Sequence, residues 1–279
     1  MGQRKTVVLV LLALGGAVAA LGCSRDRPAP LQTNAPLATT KTPDGTDSDA
    51  SLVSAADREE AVLRLDKAIL AHGGSARLAK LQTMVLKARG TINNIVADQE
   101  LQLRLPDHCR LTTIFDRDSG KDKMTIGYSP QAAWAFGKGK REDIKESSPL
   151  ADLRNDLYML WVRTLTPLKN QAFTLRPLPA MKFSGEPAQG IQINHKDRPA
   201  IFLYFDLKTN LLVRAVAPQW VEAGVIHRRE LEFRDHKVTD DIMMPTVQID
   251  LRNGERKNFW IEITYRFPER IEDKVFEQP

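Results

Sequence analysis

From Met84 to Phe267 the apolar residues recur mainly at every second position. Met84, Leu86 and Ala88 alternate with Lys87 and Arg89, and Leu101, Leu103 and Leu105 alternate with Gln102 and Arg104. A period of two puts one set of side chains on each face of a strand, so these runs predict half-buried strands. The same pattern predicts strands at Cys109 to Phe115, Met124 to Tyr128, Ala132 to Phe136, Phe173 to Leu178, Gln189 to His195 and Ile201 to Phe205. It continues at Leu211 to Ala217, Val225 to Phe233, Thr246 to Arg252 and Arg256 to Phe267. Asn253-Gly254 is a two-residue hairpin signal, because both central positions of such a turn need positive φ. Asp206 to Asn210 and Gly137 to Lys140 read as tight turns, and Asp116 to Lys123 as a polar hairpin loop.

Two segments change period. Val62, Leu65 and Ile69 recur at helical spacing, started by Ser54 as a cap with Asp57 three residues on and stopped by Gly73-Gly74. A short second helical turn is expected at Ser75 to Leu81. The other helix is predicted from Ser148 and Pro149 to the residues before Pro167, with Leu150, Leu153, Leu157, Leu160 and Trp161 on a broad apolar face. About a dozen short strands with few helices and no alternation of strand and helix imply an antiparallel sheet curled into a barrel or half-barrel.

The N-terminus has a different character. Arg4 and Lys5 precede an apolar stretch from Thr6 to Ala20, then Ala19-Ala20-Leu21-Gly22-Cys23. This is the layout of a secretory signal, and the stretch is short for a membrane span. The residues before Cys23 resemble a bacterial lipoprotein box. The resemblance implies cleavage after Gly22 and acylation of Cys23, with outer-membrane sorting because Ser24 rather than Asp follows. Cleavage after Ala17-Val18-Ala19, which would release a soluble protein, is the alternative. Residues 23–54 are rich in Pro, Thr, Ser and Asp and read as a flexible tether, leaving 55–279 as one folded domain.

Composition narrows the partners. The chain has 40 basic and 35 acidic residues; without Arg4 and Lys5 the balance is 38 against 35. Basic residues are interleaved with acidic ones, so no nucleic-acid partner is expected. Cys109 is the only cysteine besides Cys23, which rules out an internal disulfide framework, and it sits in an apolar strand. The histidines, at 72, 108, 195, 227 and 236, have no zinc-motif spacing, and no nucleophile signature accompanies them. Asp240-Asp241 falls in a turn and Glu230/Glu232 alternate outward on a strand, so both pairs read as solvated surface. Neither a catalytic site, a metal site nor a cofactor is expected.

Three stretches carry a wider resemblance. The first runs from Lys67 to Gly74 and on to Gly90-Thr91. The second is Leu203-Tyr204-Phe205-Asp206-Leu207-Lys208-Thr209-Asn210-Leu211-Leu212-Val213, with Asn210 where a glycine is usual. The third is Asp235-His236-Lys237-Val238 followed by Asp240 to Pro245. Together they resemble the LolA-like superfamily of outer-membrane lipoprotein-sorting proteins, over about Asp57 to the C-terminus. The resemblance implies a mainly β (α+β) domain, an open, strongly curved antiparallel half-barrel with helices over its concave face, enclosing an apolar cavity for acyl chains. Trp134 and Phe136 on one strand face, Leu157 and Trp161 on the helix, Phe205, and Ile261 and Ile263 on the last strand are then the expected lining. Phe259, Tyr265 and Phe267 share the alternation of that last strand. The implied function is non-enzymatic: a lipid-anchored protein of the cell envelope, facing the periplasm, that binds a lipid or lipoprotein. A protein-interaction or stress-sensing module on the same fold, with an envelope protein as partner, is the alternative. An envelope hydrolase is disfavoured.

Overall fold

A computed structural model describes residues 53–145, 147–220 and 226–277. The expected signal segment, Cys23, most of the tether and Val225 lie outside the described residues. Among the described residues thirteen strands form one antiparallel sheet. In chain order they are β1 (Thr83–Ile92), β2 (Ile95–Arg104), β3 (His108–Arg117), β4 (Gly120–Tyr128), β5 (Ala133–Gly137), β6 (Lys140–Asp143), β7 (Phe173–Phe183), β8 (Glu186–His195), β9 (Ile201–Asp206), β10 (Leu212–Trp220), β11 (Ile226–Thr239), β12 (Ile242–Arg252) and β13 (Glu255–Arg266). The spatial order is β6-β5-β4-β3-β2-β1-β13-β12-β11-β10-β9-β8-β7, so two meanders join where β1 pairs with β13. The ends, β6 and β7, do not pair, and the sheet stays open. Pro177 and Pro179 fall on β7, an edge strand, where a missing N–H costs least. β6 is exposed along its whole length, its sequence Lys-Arg-Glu-Asp blunting the other edge.

Among the described residues four α-helices accompany the sheet: α1 (Ala55–Ala71), α2 (Ser75–Leu78), α3 (Ser147–Val162) and α4 (Lys274–Glu277). Ser54 caps α1 by accepting from the Asp57 amide at 3.0 Å. α1 turns Ala61, Leu65, Ala68 and Ile69 inward against β7 and β8. There Arg64 donates to the carbonyls of Leu178 and Gly190 at 2.7 and 2.8 Å. α3 starts two residues earlier than the sequence suggests, where Ser148 is the cap and Pro149 the first helical residue, and Pro149 still falls in its first turn.

The curvature follows from what α3 touches. Arg154 donates to the Tyr128 hydroxyl on β4 at 3.1 Å, and one turn on, the Tyr158 ring lies 6.2 Å from His195 at the end of β8. Those strands are nine places apart in the sheet. At about 4.8 Å per strand a flat sheet would separate them by about 40 Å. Two residues one helical turn apart reach both, so the sheet curls around α3. Apolar residues from β1–β4, β8–β11, β13, α1 and α3 accordingly form one contiguous core.

The outer face has a core of its own. Trp134 is fully buried, donates to the Phe276 carbonyl at 2.7 Å, and lies flat on Gly127, where an added Cβ would meet its ring at 2.2 Å. Arg104 stacks over the Phe276 ring at 5.2 Å, and Arg110 donates to the Val275 carbonyl at 3.2 Å. The C-terminal segment thus straps the outside of β2–β5, with α4 covering Trp134.

At the other end of the molecule, the chain leaving α1 is tied to β10 and β12. The Leu212 amide donates to His72 Nε2 at 3.3 Å, so the ring carries its proton on Nδ1, which points at the Ala68 carbonyl 2.8 Å away. Met243 donates to the His72 carbonyl at 3.1 Å. A Cβ on Gly73 would meet the Asp241 carbonyl at 2.5 Å, and its φ of 117° suits glycine alone. The His236 ring lies 6.2 Å from His72. Burial lowers both imidazoles, with His72 adding to the effect on His236, which falls to about 4. The unfolded chain takes up these protons first as pH falls below 6.5, so the pair subtracts stability between about pH 6.5 and 4. In urea titrations across that range, His236→Gln is expected to lose about 1–3 kcal/mol less than the wild type.

Candidate functional site

Helix α3 carries Leu153 and Leu157 into the core, and Asp152 and Asp156 stand beside them at the same four-residue spacing. Asp156 is therefore buried with the leucines. Strand β11 presents Arg229, Leu231 and Phe233 on its inner face, and β12 presents Asp250 and Arg252. Register sets Leu231 opposite Asp250 and Arg229 opposite Arg252, with Asn258 of β13 opposite Asp250. The result is a charged island inside an apolar core.

Arg229 is its centre. Its guanidinium meets Asp250 at two points, 3.4 and 3.0 Å, and pairs with Asp156 of α3 on its other side. Asn258 donates to Asp250 at 3.3 Å. Burial alone would lower Arg229, but the two carboxylates outweigh it and hold the guanidinium charged. Burial also pushes the Asp156 carboxyl up to about 7, against the pull of Arg229 and with repulsion from Asp250. Asp152 is raised by burial too, with Arg252 and Arg229 opposing. At the far end of α3, Arg163 donates to Gln248 at 3.4 Å and lies 4.3 Å from the Phe233 ring centre. Burial lowers Arg163 to about 10.

A cleft opens beside this island, lined by Asp152, Asp156, Tyr158, Ile201, Pro218 and Arg229 among others. Its volume, about 20 Å³, suits one water molecule. The described residues offer no cluster of His, Cys, Asp and Glu able to hold a metal. Cys109 is buried, which pushes its thiol up to about 12 and keeps it un-ionised at neutral pH.

The residues expected to line a cavity separate into two groups. Leu157, Phe205 and Ile263 lie in the shared core, with Trp161 at its margin 5.6 Å from Phe173. Trp134 and Phe136 lie on the outer face: Trp134 pairs with Gly127, and Phe136 with Thr125 and Arg141. Ile261 and Ile263 part company as well. Glu262, at φ 53°, forms a bulge between the Arg89–Ile261 and Lys87–Thr264 pairs, which reverses the alternation. Phe259 and Ile261 thereby face outward and Ile263 and Tyr265 inward.

Alternation alone misplaces Glu230. Glu230 does lie on the outer face, but it is buried and pairs with Arg214 and, at 3.1 Å, with Arg228. Asp156, Arg229 and Asp250 each stand on the apolar face of their own element, and a charged residue in that position is the sequence signal of the island.

No family model matches the sequence, and no curated protein matches it. Among solved structures the chain is similar to a LolA superfamily protein from Nitrosomonas europaea, at 12% identity and TM-score 0.48, covering 77% of this chain and 96% of that one. It is similar to a DUF1329 family protein from Desulfovibrio piger, at 14% identity and TM-score 0.48, with 77% and 96% covered. The lipoprotein LppX of Mycobacterium tuberculosis is more distant, at 13% identity and TM-score 0.26, with 57% and 87% covered.

The geometry predicts that Arg229→Met leaves Asp156 and Asp250 buried without their shared cation. Equilibrium unfolding in urea is expected to show a loss of about 3–5 kcal/mol.

Proposed function

We propose that the chain is an exported envelope protein, acylated at Cys23, that binds an acyl-bearing lipid or lipoprotein between α3 and the curled sheet, without catalysis. The observation that carries this reading is how α3 is seated. The helix lies inside the curl against one continuous apolar layer, yet its central tie to the sheet is the Asp156–Arg229–Asp250 island. A hydrophobic seat of the same volume would hold as well or better, because buried ion pairs recover little more than their desolvation cost. A charged seat instead fixes one position and weakens when a carboxylate takes up a proton, and burial moves the Asp156 carboxyl towards doing so. On this reading α3 is a lid that lifts, and the surface it uncovers is what an acyl chain needs. The motif resemblance to the lipoprotein-sorting superfamily supports the same reading.

The packing sets a condition and favours a second reading. Leu157, Phe205 and Ile263 are excluded from solvent, and the space beside the island is about 20 Å³. An acyl chain therefore enters only if α3 moves. If α3 stays seated, the domain serves as a protein-interaction module and its ligand is an envelope protein.

Native mass spectrometry of the chain from Val53 onward, prepared gently from a bacterial host and then offered lipid, separates the two. The lid reading predicts adducts of lipid mass. An adduct-free mass under both conditions, together with crosslinking to an envelope protein, would establish the interaction reading instead.

A further inference from the structure

The outer face carries a second feature, unconnected with α3. Between the β3–β4 and β5–β6 hairpins runs an open groove of about 630 Å³, lined by Arg110, Lys121, Lys123, Lys138, Phe136 and Asp122 among others. The two hairpin tips lie at the same end of the sheet, because Met124 pairs with Gly137. Arg110 is set at the base, held by the Val275 carbonyl and lying 5.9 Å from the Trp134 ring centre. Lys121, Lys123 and Lys138 stand exposed at the rim and make no ion pair among the described residues. The two hairpins carry the acids Asp116, Asp118, Asp122, Glu142 and Asp143 against the bases Arg117, Lys121, Lys123, Lys138, Lys140 and Arg141, so the bases outnumber them. Asp122 is 4.0 Å from Arg117, Asp143 is 3.4 Å from Arg141, and Asp116 sits across the ladder from Lys121.

We propose that this groove is a membrane-docking surface that takes the phosphate groups of anionic lipids. Four cations against one acid in the lining give it the sign for phosphate. Its charges span two hairpins, which suits several headgroups side by side. Phe136, half-buried among the lysines, supplies the apolar contact that an interfacial site uses beside its cations. Each basic side chain near an anionic surface strengthens binding roughly fivefold. The proposal does not depend on the acyl-ligand reading. An anchor at Cys23 would simply keep the groove within reach of the bilayer.

The test is amide hydrogen exchange on the full chain mixed with vesicles of phosphatidylcholine alone or with one-third phosphatidylglycerol. Residues 117–123 and 137–141 are expected to exchange at least fivefold more slowly on the phosphatidylglycerol vesicles. That protection should vanish in Lys121→Gln/Lys123→Gln/Lys138→Gln and in high salt, while core strands exchange alike in both proteins. Equal exchange on the two vesicles would overturn the proposal. So would the same protection produced by inorganic phosphate on phosphatidylcholine vesicles, which would make the groove a site for free phosphate.

Discussion

Arg229 must keep its charge where little water reaches it, and most of the inner architecture is arranged around that constraint. A guanidinium cannot neutralise itself by losing a proton at any ordinary pH, so the fold has to bring carboxylates to it. Asp250 comes from the neighbouring strand and is fixed by ladder register. Asp156 comes from a helix more than seventy residues earlier in the chain, and this pairing positions α3 within the curl. The apolar contacts of Leu153 and Leu157 hold the helix down, but they are tolerant of sliding. The ion pairs are not, because a shift of one residue would strand a buried charge.

The two faces of the sheet then do different work. The inner face is a single apolar layer with one charged island and a helix seated on it. The outer face is polar, carries a local core under the C-terminal strap, and ends in the basic groove between two hairpins. The division explains why Trp134 is buried and yet remote from α3. Its ring is covered by Phe276 and by the backbone of Gly127, not by the main core.

Much of this was legible in the sequence. Alternation located nearly every strand, and turn chemistry located the hairpins: Asn253 and Gly254 have φ of 49° and 81°, and Asn210 has φ of 57°. An antiparallel sheet curled into a barrel or half-barrel follows from those strands and turns; its being open was implied by the family resemblance alone. β6 escaped because Lys140 to Asp143 are all charged and carry no apolar alternation. The Ile261–Ile263 pairing failed because a bulge at Glu262 inserts one residue, and alternation cannot reveal an insertion without the partner strand. Trp134 and Phe136 were assigned to the inner face because apolarity alone does not say which face a strap will cover. The charged island depends on contacts between distant segments, although an aspartate on an apolar helix face and an arginine in register with Leu231 and Phe233 are visible hints.

The central claim is that α3 is a seated lid and not a fixed part of the core. The most direct measurement is the distance between spin labels at Ala151→Cys on α3 and Thr264→Cys on the outer face of β13, both exposed positions, by pulsed electron resonance. The account predicts one narrow distance in the ligand-free protein, and a longer or broadened one when a fatty acid is added or when Asp156→Asn weakens the seat. A single narrow distance that neither treatment changes would contradict it, and α3 would then be structural.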